Sequence, residues 1–180
     1  MAFTARHVDK LWRYLSWGPG NQYGTSQLVS LPYAFSRLSS VITGCECSES
    51  GLVPEDPAIC LACGSVLWAG KKGTADGTDT DHRRGACTKH ALKCAGGLGV
   101  FFVVQRCSVL LVHKNRSAYS LSPYVDVHGE EDIGLKRGRP LYLSPKRYDT
   151  LRDLWRSHRV PLEVARLRNS ADRVIIDGYY

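Results

Sequence analysis

Val8, Leu11, Trp12 and Leu15 recur at helical spacing, which predicts a first amphipathic helix ended by Gly18-Pro19-Gly20. Leu28 to Leu31 is a short, mostly apolar stretch. Pro32 then suits the first turn of a second helix, with Phe35, Leu38 and Ile42 as its buried stripe and Gly44 closing it. Ser48 to Pro57 is polar and reads as a loop; Ser65 to Trp68 reads as a strand. Lys71 to Arg84 has few apolar residues and much Gly, Thr and Asp, the pattern of a surface loop. Gly99 to Gln105 and Val109 to His113, rich in Val, Leu and Phe, predict a β-hairpin with Arg106-Cys107-Ser108 near its turn. Tyr119 to Tyr124 adds a short strand. Ser144-Pro145 pairs an N-cap residue with proline at the first helical position. Tyr148, Leu151, Leu154, Trp155 and His158 form the inner side of the helix that follows. Pro161 opens another short helix through Leu167, and Val174-Ile175-Ile176 reads as an edge strand. The fold class expected is α+β, a small antiparallel sheet with flanking helices. The expected division is an N-terminal helix and linker over 1–27, a main domain over 28–168 and a tail over 169–180.

Composition narrows this picture. At 180 residues and 43% hydrophobic, the chain suits one domain with a core. Seven cysteines is an odd number, so a fully paired disulfide scaffold is excluded. Arg6, His7, Asp9, Lys10 and Arg13 break up the start, so no secretory leader is read there. Apolar runs such as Val100 to Val104 are too short to span a bilayer. The expectation is a soluble protein of a reducing compartment, where CxxC pairs point to metal or redox chemistry. The net charge of +7 favours acidic partners, and Lys136 to Arg173 is strongly basic. A basic surface invites a nucleic-acid reading. A solvated helix face is the preferred alternative, because no aromatics alternate with the basic residues to make a stacking platform.

Two short stretches carry the candidate chemistry: Cys60-Leu-Ala-Cys63 and Cys87-Thr-Lys-His90. Each sets two metal-ligand side chains three positions apart, and together they supply the four ligands of a tetrahedral zinc site. A filled shell leaves no open position, so the site reads as structural. Buried, unligated thiols are the alternative. Cys94, four residues after His90, shares a helical face with it and is the rival for the fourth position. Cys45-Glu46-Cys47 has no clear partners for a second metal. A cysteine hydrolase would need a thiolate beside a base in an open site, and metal ligation would consume the best-placed Cys–His pair. Asp126, Glu130, Glu131 and Asp132 around His128 read as a solvated loop in preference to an acid–base site. His158 reads as a packed or capping histidine. Gly96-Gly97-Leu98-Gly99 precedes a strand, whereas a phosphate cradle follows one.

Several segments in order resemble the C-terminal domain of the UBR-type N-recognins, large RING-type E3 ubiquitin ligases of the N-degron pathway. They are Leu31-Pro32 with its helix, Cys60-Leu-Ala-Cys63-Gly64, Gly85-Ala86-Cys87-Thr88-Lys89-His90, and Gly99-Val-Phe-Phe with Arg106-Cys107. Ser122-Pro123-Tyr124-Val125-Asp126, the helix from Arg147-Tyr148 to Trp155, and Gly134-Leu-Lys-Arg-Gly138-Arg-Pro140-Leu complete the set; the last is the most specific. The resemblance runs from about Leu28 to Arg166. It implies a zinc-binding regulatory module, described in the family as autoinhibitory, that packs against the N-terminal substrate-recognition region of the same ligase. It also implies Cys60, Cys63, Cys87 and His90 as zinc ligands. The family's UBR box and RING are not in this sequence, so no catalytic residue or bound cofactor other than Zn2+ is expected. The ubiquitin-conjugating enzyme would meet the parent's RING. The expected location is the cytoplasm, with the nucleus second. Relatives often carry a Cys-Cys pair in the loop between the half-sites; here that loop has Gly, Thr and Asp.

Overall fold

The computed structural model describes residues 27–48, 50–69 and 85–170. The helix expected around Val8 to Leu15, the loop from Lys71 to Arg84 and the strand at Val174 to Ile176 lie outside these residues. The described elements are α1 (Phe35–Ile42), β1 (Pro57–Cys60), β2 (Val66–Trp68), α2 (Ala86–Ala95), β3 (Leu98–Val103), β4 (Ser108–His113), β5 (Arg116–Ser120), β6 (Tyr124–Val125), β7 (Tyr142–Leu143), α3 (Pro145–Arg156) and α4 (Val160–Asn169). Five strands form one antiparallel sheet in the order β2-β1-β3-β4-β5, and β6 pairs with β7 separately. The class is α+β, as the hydrophobic pattern predicts.

β3 is apolar at almost every position because both faces of the sheet are covered. Val100 and Phe102 enter one core with Ile59, Val109 and Leu111. Phe101 and Val103 enter a second core with Ala58, Cys60 and Val112. This is the alternation that the pleat imposes. The first core is closed by α1, through Phe35, Leu38 and Ile42, and by Tyr148, Leu151, Val160 and Val164 of α3 and α4. Phe35, Phe102 and Tyr124 form a mutual ring cluster, with centroids 5.4 to 6.2 Å apart. The second core is closed by α2, through Cys87 and Ala91.

Three local expectations are corrected. The strand expected over Tyr119 to Tyr124 is two elements, β5 and β6. β5 starts earlier because Lys114 takes a left-handed φ of 54° and turns the chain in two residues, with His113 opposite Arg116. That turn lacks the Asn-Gly signature, so the pattern hides it. His158 is exposed and is not on the inner side of α3; at φ 54° it ends the helix, its amide donating to the Trp155 carbonyl at 3.1 Å.

The acidic turn differs as well. Asp126 and Asp132 are buried, with 4% and 3% exposure. Each organises backbone in place of meeting water. Asp126 Oδ1 accepts from the His128 and Glu130 amides, each at 2.9 Å, and Oδ2 accepts from Arg139 at 3.1 Å. Asp132 accepts from the Lys136 and Arg137 amides. The Gly134-to-Leu141 motif is thereby wrapped around two carboxylates, which is the physical use of its sequence.

Candidate metal centre

Cys60 ends β1, and the following turn over Leu61 to Gly64 brings Cys63 back beside it. The turn is closed by the Gly64 amide to the Cys60 carbonyl, at 2.7 Å, and by the Cys60 amide to the Ser65 carbonyl, at 2.9 Å. Gly64 adopts φ +79°, a backbone that a side chain disfavours. This knuckle matches the turn expected for the first half-site.

The second pair of ligands comes from a helix. Cys87 and His90 both lie on α2, not in a tight turn. Ligand atoms of Cys60, Cys63, His90 and Cys94 all fall within 4.8 Å of one another. His90 Nε2 is 3.2 Å from Cys63 Sγ, and Ser65 Oγ is also 3.2 Å from that sulfur. His90 and Cys94 are one helical turn apart and share a face. The structure thus gathers Cys60, Cys63 and His90 of the expected set and adds Cys94. Cys87 stands outside the group: it is buried in the second core, its Sγ donating toward the Trp68 carbonyl at 3.8 Å.

Position along α2 explains why Cys94, and not Cys87, falls within this group. Trp68 pairs with Pro57 at one end of β1, whereas Cys60 sits at the other end opposite Phe101. Cys87 is in the first turn of α2 and Cys94 in the last, about 10 Å apart along the axis at 1.5 Å per residue. The C-terminal end of α2 is fixed at the Cys60 end of the sheet by the Gly96-Gly97 turn into β3. Gly96 is left-handed at φ 60°, and the Gly97 amide donates to the Ala91 carbonyl at 2.9 Å. Close approach helps to hold it there. A Cβ on Gly99 would lie 2.3 Å from the Phe101 ring and 3.1 Å from Ala91 Cβ. The Phe101 ring in turn meets His90 edge-to-face, with centroids 6.1 Å apart.

The electrostatics suit a cation. Hydrogen bonds from Cys60 and Cys94 hold Cys63 far below the usual thiol range, whereas the bond to Cys63 pushes Cys60 up. Burial lowers His90, but its contacts with Cys63 and Cys94 outweigh this and raise it to about 10. These directions describe a thiolate beside an imidazolium, and a divalent ion competes for the places of those protons. Three sulfurs and one imidazole nitrogen form a set that can hold a metal ion and fit a tetrahedral Cys3His shell.

Among the remaining described thiols, Cys45 and Cys107 are buried. Burial raises Cys45, whose Sγ donates to the Val41 carbonyl at 3.0 Å. Burial also raises Cys107, to about 11, despite its contact with Ser122. His128 is exposed, and it is its amide that contacts Asp126. Sequence reasoning held Cys94 as a rival ligand, on the four-residue interval from His90, and the structure places it within the group. Sequence reasoning passed over Phe101 and Ser65, for which no local signal exists.

Residues 19–157 match the family described as Proteolysis_6 C-terminal. The chain is 37% identical over 145 residues to the E3 ubiquitin-protein ligase ubr1 of Schizosaccharomyces pombe, covering 79% of this chain and 7% of that protein. It is 32% identical over 157 residues to mouse E3 ubiquitin-protein ligase UBR2, covering 84% and 9%. It is 36% identical over 146 residues to human E3 ubiquitin-protein ligase UBR1, covering 78% and 8%. The chain therefore spans less than a tenth of the length of these relatives.

Proposed function

The chain belongs to the Proteolysis_6 C-terminal family, the C-terminal domain of UBR-type E3 ubiquitin ligases, and we propose that it is a zinc-stapled regulatory module of such a ligase. The ion is Zn2+, held by Cys60, Cys63, His90 and Cys94. The observation that carries this reading is the convergence of four sulfur and nitrogen donors from a knuckle and a helix, with ligand atoms within 4.8 Å of one another. A fully used tetrahedron has a structural role, since a catalytic zinc keeps one position for water or substrate. It joins β1 to α2 across the second core, on either side of residues 70–84. Metal binding therefore adds directly to folding free energy.

Catalysis in this reading belongs to the parent. A RING elsewhere in the ligase recruits the ubiquitin-conjugating enzyme, and this domain restrains recognition of N-degrons by docking on the N-terminal substrate-recognition region. Support comes from the family, from a donor set that leaves no open coordination position, and from the basic surface of α3 and α4. That surface carries Lys146, Arg156 and Arg159 among others, suited to an acidic partner face. The ligase would act in the cytoplasm, with a nuclear share. Among the described residues no helix is long and apolar enough to cross a membrane.

Three measurements test the proposal. Elemental analysis should return one zinc per chain; a preparation that keeps its fold at zero zinc removes the structural role. The chain should also capture the parent's N-terminal region in a pull-down and slow ubiquitination of an N-degron reporter when added in trans. Capture with no change in rate would leave a docking domain without a restraining role.

A further inference from the structure

The four members of the metal group are not equally sheltered. Cys60 is buried and Cys63 half-buried, whereas Cys94 is exposed. Cys94 stands in the last turn of α2, just before Gly96 and Gly97. A Cβ on Gly96 would meet nothing within 4 Å, so this end of the helix is uncrowded. The sulfurs of Cys60, Cys63 and Cys94 hydrogen-bond one another. All three lie within 4.8 Å of one another, and a disulfide holds its sulfurs at about 2.05 Å. An approach of less than about 3 Å therefore links Cys94 to a neighbour.

The two neighbours differ in how firmly they are held. Cys60 ends β1, opposite Phe101 in the sheet, and its amide donates to the Ser65 carbonyl at 2.9 Å. Cys63 is on the knuckle turn beyond the strand. A turn shifts at less cost than a paired strand, so Cys63 is the neighbour that can close on Cys94. Zinc has no redox chemistry of its own, and oxidation falls on the sulfurs that hold it. An exposed thiolate beside a second thiol able to resolve it is the arrangement that oxidant-sensing cysteines share.

We propose that Cys94 is an oxidative modification site: hydrogen peroxide oxidises it, Cys63 resolves it to a disulfide, and the domain gives up its zinc. The Cys94 thiolate attacks one peroxide oxygen, the O–O bond breaks, and hydroxide leaves a sulfenic acid on Cys94. The Cys63 thiolate then attacks that sulfur, an S–S bond forms, the S–O bond breaks and a second hydroxide leaves. The sulfurs lose two electrons in total, and the peroxide oxygens gain them. Cys60 and His90 remain as two donors, too few for a tetrahedral shell. A thiol reductant reverses the step by exchange and restores the ligand set. The proposal rests on the zinc assignment and adds to it a reversible way of losing the ion.

The test uses the full 180-residue chain, purified under reducing conditions, with its zinc content measured first. Hydrogen peroxide is then added in molar excess beside a chromophoric zinc indicator. Zinc should be released completely, and a dithiol reductant should restore its uptake. A sulfenic-acid trap should label Cys94 before any other cysteine, and peptide mapping should find Cys63 joined to Cys94. Cys94→His keeps a nitrogen donor in the shell and removes the exposed sulfur, so its release should be at least tenfold slower. Mapping of the unaltered chain decides the matter even if that variant folds poorly. Zinc that stays bound in peroxide, a Cys60–Cys63 link as the product, irreversible loss, or unchanged release from Cys94→His would overturn the proposal. A chain without zinc at the outset removes the zinc assignment and this step together; a full load indifferent to peroxide removes this step alone.

Discussion

Cys63 Sγ and His90 Nε2 stand 3.2 Å apart although 27 positions separate them in sequence. One atom is on a hairpin knuckle, the other on a helix packed across the sheet. Their meeting would couple the affinity for any metal ion held there to the packing of α2.

That coupling separates the two candidates for the fourth ligand. Cys94→Ser should weaken zinc by more than ~100-fold, beyond the loss typical of an outer-shell partner. Cys87→Ser should change affinity far less, because Cys87 faces Trp68 and the second core. Competition against a chromophoric chelator reads both. Equal losses would return Cys87 to the ligand set.

Gly99 gives a test that touches no ligand. Alanine there places a methyl 2.3 Å from a Phe101 ring atom, and that ring is fully buried. Overpacking of this kind costs about 1–3 kcal/mol. Urea unfolding of Gly99→Ala should show that loss, and zinc should bind more weakly because Phe101 lies against His90. Unchanged zinc affinity in a destabilised variant would uncouple the two.

The Tyr124 hydroxyl donates to the Pro32 carbonyl at 2.8 Å, across 92 positions. Tyr124→Phe keeps the ring cluster and removes the donor. The expected cost is about 1 kcal/mol, the net worth of a typical hydrogen bond. Chemical denaturation measures it, and faster amide exchange around Pro32 should accompany it.

Asp126 supplies a pH signature away from the metal. The Glu130 amide, helped by Arg139 and the His128 amide and opposed by burial, lowers its carboxyl to about 2. The folded value lies below the ordinary one, so the stabilisation is complete above about pH 4 and is lost as pH falls toward 2. Asp126→Asn should flatten the stability profile across that window. A chelator-treated sample, measured alongside, separates this from acid release of metal. An unchanged profile would show that Asp126 does not bear the loop's acid sensitivity.

Much of the fold was legible because it is local. Phe35, Leu38 and Ile42 repeat at helical spacing and are buried together on α1. Ser144-Pro145 marks the start of α3, and the apolar runs on either side of Arg106-Cys107 become β3 and β4. β5 was misplaced because its turn rests on Lys114 in a left-handed conformation, which no residue-type preference announces. Asp126 and Asp132 read as solvated because polarity alone does not tell a carboxylate that meets water from one that gathers backbone amides.

The same division runs through the metal group. The sequence by itself determined that Cys60 and Cys63 face each other, because a four-residue knuckle does so wherever it folds. It also determined that His90 shares a helical face with Cys94, because a helix repeats every 3.6 residues. Only the tertiary structure brings Cys94, and not Cys87, into the group with Cys60, Cys63 and His90. Both stand near His90 on α2, and the choice depends on how far that helix is slid along the sheet. Gly96, Gly97 and the close contact at Gly99 set that position, bringing the last turn of α2, not the first, to the end of β1. Spacing along a chain cannot encode an offset between two elements whose register is set by packing between them.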